Sequence, residues 1–538
     1  MQRCFFSIAV LTAFGCLSCQ QLLSIHPLDV DSDAGADAAG SGGVTRGGSG
    51  GVGATPATVD AATSPDADDV VNSNTWRQSL PPTGPEPQGV LLGGTGIGAV
   101  NAVAVDNLGN IIVAGAFEKS IGVGPVSVSA SAGGQDIFVA KLALDKNGKF
   151  NVVWLRNFGG GQHTAEAIAV DAAGNVLVGG RFYKDVNFSP TLKFFTDAGT
   201  DAFLTKLNAG DGTAQWAVRY GGPGDDTISG ITMASNGTTE TDAFVVGTFT
   251  GTQTFSAQSK LTAQGRDMFV MRIDTTAATV KWAESIGGAN NDWSAAVARS
   301  SSGGLVVAGT FLGQLSTTVK DDSQHANNCL VHLSGRDASS ALVSNALLVE
   351  LSGDLGRCRW SYQFGGTSAA AATALTVDDK GAAYLGGTIL VGPPVAMAAN
   401  LDGFVSKVLV GSEVWNFGFG GLSDDDAVGG LAMSGTGEVL LAGTISGKAV
   451  FGPRKWELRP IDEPSAGNIR KDNMIFAVMN AVDGQPKLLH QFNSDTTGSA
   501  VASGSTGTYV AVNLCGPALV GTLTLTSMAA CGPLLLRF

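Results

Sequence analysis

The side chains with most capacity for chemistry are carboxylates set in short runs, Asp225-Asp226, Asn290-Asn291-Asp292 and Asp424-Asp425-Asp426. Each run follows a Gly-Gly pair by a few residues, so the three occupy equivalent places in a recurring pattern. Asp225, Asp226, Asp292, Asp424 and Asp425 are therefore candidate ligands for calcium or a cationic group on an acidic face. The competing reading, and the favoured one, gives them to their own turns, because Asp readily accepts from nearby backbone amides. Histidine offers less. His163, His325 and His490 fall far apart, in a crossing loop, a strand connection and an outer strand. No Ser-His-Asp set is visible along the chain, although such triads assemble in space. Neither catalytic residues nor a bound cofactor are expected.

Cysteines and one mixed loop complete the candidates. Cys515 and Cys531 lie at the ends of neighbouring strands, and Cys329 and Cys358 bracket an insertion, so both pairs are expected as disulfides. Zinc is disfavoured, since no C-x-x-C or paired His spacing accompanies them. Residues 446–472 contain Arg454, Lys455, Trp456 and Arg459, an aromatic among cations of the kind found at interaction hot spots. That loop either binds a partner or packs on its own blade, and the sequence does not choose. Asp29, Asp31 and Asp33 open like a calcium loop, but Gly40 stands where the bidentate Glu is needed. Gly48, Gly50 and Gly53 spell a dinucleotide motif with neither strand nor helix beside them.

What must position these residues is a repeat. Trp stands five residues before the first Gly of Gly-Gly at Trp154, Trp216, Trp282, Trp360 and Trp415. Weaker copies start at Leu488 and Gln88, which makes seven. After each Gly-Gly comes a short strand such as Val103–Asp106 or Ile168–Asp171, then a tight turn. A second strand carries Gly115, Gly180, Gly247, Gly309, Gly387 or Gly443, with Val512 in the seventh copy. A third begins with Asp or Asn, as at Asp136, Asp201, Asp267 and Asp402, often with Lys or Arg sixth. In the fourth copy Asn345–Leu351 is preferred over Asn327–Leu333 for its spacing to the Trp. The Trp, on the outermost strand, is expected to wedge one blade against the next.

Four strands in each of seven copies of about 64 residues predict an all-β fold, a seven-bladed β-propeller over residues 88–538. The last copy ends at its third strand, Leu534–Phe538, and the strand it lacks stands at Gly89–Leu92. Pairing the two would close the ring and remove its exposed edges. The repeat resembles the seven-bladed β-propeller repeat of secreted bacterial surface proteins and lipoproteins, with units four and seven departing most. That resemblance implies export and a surface role, and assigns no catalytic residues.

The N-terminus agrees with export. Arg3 and the apolar stretch Phe5–Leu17 fit a signal peptide over residues 1–19. Gly15-Cys16-Leu17-Ser18-Cys19 resembles a lipoprotein signal, with Cys19 the lipidated residue and Cys16 the alternative. Residues 20–87 hold eight Asp and Glu86 against Arg46 and Arg77, with almost no aromatics, and read as a disordered acidic tether. The net charge of −14 argues against nucleic acid. The expectation is an exported, membrane-tethered, non-catalytic binding or scaffold module, monomeric, held to the membrane by a lipid anchor only, in the cell envelope as an outer membrane lipoprotein or extracellular. Its partner would be a protein or glycan. The alternative is an enzyme, either a hydrolase or lyase, or a quinone-dependent dehydrogenase, which the D-x-x-x-G-x-x-x-W look of some hairpins resembles.

Overall fold

The second strand of each repeat explains the architecture. Ile111–Glu118 reads as an unbroken apolar run, and Ile111 to Phe117 are all buried. A strand buried on both faces needs a neighbouring sheet on each side. In the computed structural model this recurs along the chain. The structure describes residues 88–538 except 132–133, 197, 235–240, 318, 323–328, 330–332, 337–339, 392–399, 421–425, 447–448, 453–455, 459–471, 493–495, 515–517, 521–522 and 526–530. Every regular element among the described residues is a β-strand.

Unit one is the antiparallel meander Gly98–Val105, Ile111–Glu118, Gln135–Leu144 and Phe150–Phe158. Unit two repeats it from Gln162–Val170 to Ala214–Tyr220, and unit three from Thr227–Met233 to Thr279–Gly288. Units four, five and six begin with Trp293–Arg299, Ala370–Val377 and Ala427–Met433. The third strand of unit four is Ser344–Leu351, the preferred of the two candidates. The last unit has Thr496–Gly504, Gly507–Leu514 and Gly532–Arg537, and its fourth strand is Gln88–Leu91, with Gln88 opposite Arg537 and Leu91 opposite Leu534. The first strands touch in the order of the units, and that of unit seven also touches that of unit one. This is a β-propeller.

The core lies in the seams between units. Ile112, Ile137 and Trp154 of unit one pack with Val178, Phe182 and Phe203 of unit two. At the other side of unit one, Phe117 and Phe138 share a cluster with Tyr509 and Leu535 of unit seven.

The second-strand glycine is dictated by close approach. A Cβ on Gly115, Gly180 or Gly387 would collide with the carbonyl of Ala99, Thr164 or Ala371 on the adjoining first strand. Unit seven keeps its Val512 because the residue opposite it is Gly498, so the missing side chain is on the other strand. Beside this crowded point every first strand slips by one residue, leaving Asn101, Glu166, Ser229, Ala295, Thr373, Gly429 and Ser499 as bulges.

Candidate functional site

The two ends of the units use charge differently. At the turn end, Asp106 accepts from the amides of Leu108 and Asn110 and from the Asn110 side chain, and pairs with Lys141 at 2.9 Å. Asp171 repeats this with Ala173, Asn175 and Lys206. Burial alone would raise both carboxyls, but the side-chain bonds from Asn110 and Lys141, and from Asn175 and Lys206, hold them below the usual range.

The cation then reaches across the seam. Lys141 Nζ and Trp154 Nε1 both donate to the Ala209 carbonyl of unit two, at 3.1 and 3.2 Å. Arg272 and Trp282 share Gly353 O of unit four, and Lys407 and Trp415 share Ala481 O of unit six. The receiving turn carries a glycine with positive φ, such as Gly212 or Gly484, whose missing Cβ makes room for the indole. The wedge expected of the Trp is thus also a hydrogen-bonded latch. Unit four departs: Glu350 replaces the cation, and Trp360 donates to Glu350 within its own unit.

The crossing-loop end carries the acidic runs. Asp226 is 2% exposed, and accepts from Thr250 N at 2.9 Å and Gly222 N at 3.0 Å. Asp292 is fully buried and accepts from Leu312 N at 2.9 Å. Asp426 accepts from Ser446 N at 2.8 Å. These carboxylates are therefore seated in the seams, bonded to backbone, rather than spread over an acidic surface. Each faces the third-strand Asp of the preceding unit: Asp201 acts on Asp226 and Asp267 on Asp292, while a Cβ on Gly420 would touch both Asp402 and Asp426. The Gly-Gly motif exists for this reason, since Cβ atoms on Gly159, Gly221 and Gly287 would fall on the carboxyls of Asp136, Asp201 and Asp267.

Asp225 is different. Its Oδ1 accepts from Thr200 N at 3.1 Å, and its Oδ2 lies 3.5 Å from Arg266 of unit three. Arg181, almost buried, lies 3.9 Å from Glu166 and feels Asp225. Burial lowers the affinity of both guanidiniums for their protons, and Glu166 and Asp225 oppose that for Arg181, Asp225 for Arg266. Glu166, Arg181, Asp225 and Arg266 thus form a recessed cluster of alternating charge where units two and three meet.

Two of these residues break the repeat. In units one, three and five the bulge residue stitches adjacent first strands: Asn101 donates to Ala165 O, Ser229 bonds Ser294, and Thr373 donates to Val428 O, while units four, six and seven carry Ala295, Gly429 and Ser499. Glu166 takes that place in unit two. The residue after the second-strand glycine is Ala116, Thr248, Thr310, Thr388 or Thr444, and Asn513 follows Val512 in unit seven. Thr310 and Asn513 accept from the amides of Ala372 and Val100 in the following unit. Arg181 stands there in unit two, and a guanidinium accepts nothing. Sequence reading missed both, although aligning the units places Glu166 and Arg181 where the other units carry small or neutral residues.

The remaining candidates fall as follows. Cys329 and Cys358 are disulfide-bonded, their Cα atoms 5.9 Å apart. Cys531 is in a disulfide, and Cys515 lies outside the described residues. So do Cys16, Cys19, Asp424, Asp425, Arg454, Lys455 and Arg459, with His325 and the whole of residues 1–87. Trp456 begins the strand Trp456–Leu458, paired with Ala449–Phe451. His163 is not in a loop: it sits in the strand Gln162–Val170, 1% exposed, because its side chain fills the seam place that Asp226 and Asp292 occupy in later units. For calcium the donor set is thin, since no three His, Cys, Asp or Glu side chains converge among the described residues.

No family model matches this chain, and no curated protein does. Solved structures do resemble it. The RRP9 WD40 repeats match with a TM-score of 0.42 and 9% identity, covering 85% of this chain and 99% of that one. The Dos1 propeller matches at 0.40 and 8%, covering 84% and 95%. The quinohemoprotein alcohol dehydrogenase from Comamonas testosteroni matches at 0.36 and 10%, covering 83% and 76%. At such scores the likeness concerns chain architecture, and the β-propeller fold stands on the strand pairing itself.

Proposed function

We propose that the chain is a seven-bladed propeller closed by its first and last strands, and that it serves as a non-catalytic binding module. In this reading Cys19 is lipidated, residues 20–87 carry the propeller clear of the envelope membrane, and it works at the cell surface as a monomer. Its repeat would be that of the secreted bacterial surface propellers. The partner is a polar protein surface, met at the recess of Glu166, Arg181, Asp225 and Arg266.

The observation that carries this is the double departure of unit two. Two positions that carry small or neutral residues in the other units hold opposite charges there, gathered with Asp225 and Arg266 in one recess. A local departure from a rule that the other units keep marks a functional site more often than chance. Arg is enriched among residues that dominate protein interfaces, and its planar fork suits carboxylate recognition. A rigid scaffold presenting such a recess needs no motion to bind.

The test compares the wild type with Glu166→Ser/Arg181→Thr, which restores the residue types of the other units. Cross-linking on intact cells should lose its captured partner at least tenfold in the double variant, with the melting temperature unchanged. Equal capture by both would sink the assignment of the recess. Capture abolished by glycosidase treatment would identify a glycan instead, and a thermal shift with a redox quinone plus calcium would favour an enzyme. Cys19→Ser should release the protein from the membrane fraction; retention would remove the anchor.

A further inference from the structure

We infer that the seam between units three and four is held by one proton carried on the Asp267–Asp292 pair, so that it loosens as that proton leaves in alkaline solution. Asp292 is fully buried and Asp267 is 6% exposed. Asp292 uses Oδ1 to accept from Leu312 N. The Gly288 amide acts on both Asp292 and Asp267, which also has the Gln264 amide, yet Asp292 Oδ2 meets no donor at hydrogen-bond geometry. Asp267 likewise leaves Oδ1 without one. Two adjacent buried carboxylates, each with an unpartnered oxygen, lack one donor between them. A proton on either supplies it, and removes the repulsion of like charges in a dry seam.

No cation does the same work there. Arg266 precedes Asp267 in sequence, but its guanidinium faces Asp225 across the other seam. Lys281 and Arg272 pair with Asp242 at 2.6 Å, at the turn end of the sheet. Glu284, opposite Val270 on the fourth strand of unit three, brings no positive charge. The other carboxylate pairs differ: Asp201 has Arg219 as an ion-pair partner, so Asp226 beside it is less in need of a proton. Two carboxylates also fall far short of the six to eight oxygens that calcium takes.

Titration agrees. Burial, and then Asp267, push Asp292 up to about 8, and burial pushes Asp267 to about 6. The sign follows. A carboxyl raised in the folded state binds its proton more tightly than the unfolded chain does, so stability is full below the unfolded value near 4 and falls as pH rises towards 8. One proton released per seam means a tenfold smaller folding constant per pH unit across that window.

The experiment is denaturant unfolding of the full chain from pH 5 to 9, for wild type, Asp292→Asn and Asp267→Asn. Either Asn variant should flatten the slope by up to tenfold per unit and exceed the wild type in stability at pH 8.5. Equal slopes in all three would overturn the inference. So would calcium restoring the wild type at pH 8.5 but not Asp292→Asn, since the pair would then be a cation site. Should the variants fail to fold, carbon-13 labelling of Asp in the wild type decides: a carboxyl still protonated at pH 7 is expected, and none titrating above about 6 would overturn the inference.

Discussion

The two ends of each unit place buried Asp in opposite company. At the turn end, Asp106 and Asp171 meet Lys141 and Lys206 and are wrapped in amide donors, so they stay ionised. At the crossing-loop end, Asp292 meets Asp267. The first arrangement resists everything but strong acid. The second responds to pH in the ordinary range. The lesson is that a repeat need not be uniform in its electrostatics to be uniform in shape: backbone amides fix both kinds of Asp in place, and the neighbouring side chain decides the charge.

Both ends presuppose that unit seven is complete, so the largest effect should come from deleting residues 88–92. The deletion strips the partner of Leu534–Arg537 and should cause a large loss of thermal stability. An unchanged melting curve would break the closure reading. Next comes Lys141→Met, which leaves Asp106 buried without its cation and should cost roughly 3–5 kcal/mol in chemical unfolding. Because Asp106 is depressed in the folded state, that contribution is present above pH 4 and vanishes as pH falls through its folded value, so the variant and wild type should converge in strong acid. Convergence in alkali instead would erase the contrast between the ends. Gly287→Ala at the other end drives a Cβ onto Asp267 and should cost about 1–3 kcal/mol, partly recovered by adding Asp267→Ala. No recovery would mean that the glycine serves the backbone rather than the carboxyl.

A smaller effect concerns His163, which occupies the seam between units one and two facing Asp136. Burial lowers its affinity for a proton, against the pull of Asp136, so the folded state prefers it neutral. Its contribution should be present above about 6.5 and decline as pH falls, opposite in sign to the seam of Asp292. His163→Gln should be the flatter of the two between pH 5 and 7; an equal slope would remove His163 from the account. Leu108, 84% exposed at a turn tip, serves as the control, and Leu108→Ser should leave melting unchanged.

Much of this was legible in the residues themselves. The Trp spacing, the second-strand glycine and the leading Asp locate the strands, because each is fixed by a contact repeated in every unit. What could not be read is which contact each motif serves. Gly-Gly served only to mark the repeat, whereas Gly287 is small because Asp267 lies over it. The acidic runs suggested their own turns in preference to a charged face; Asp226 and Asp292 do bond backbone amides, but reach as far as those of Thr250 and Leu312, a matter of register between distant strands. His163 suggested a loop because Gln162 and His163 follow three glycines, yet the first strand starts there. Glu166 and Arg181 went unnoticed because they fit no motif. Their meaning lies in what the other units put in their place.

The strand Gln88–Leu91 has a mechanical side. Gln88, the first residue of that strand, is opposite Arg537, whose guanidinium bonds Gln88 Oε1 at 3.2 Å and the Thr506 carbonyl at 2.8 Å. A load applied through residue 88 arrives at the end of an antiparallel pair, where strands peel one residue at a time instead of shearing together. Arg537 then acts as the cleat on that line: it ties the loaded residue to the neighbouring hairpin, so tension is passed to the body of unit seven before the first backbone pair has to give.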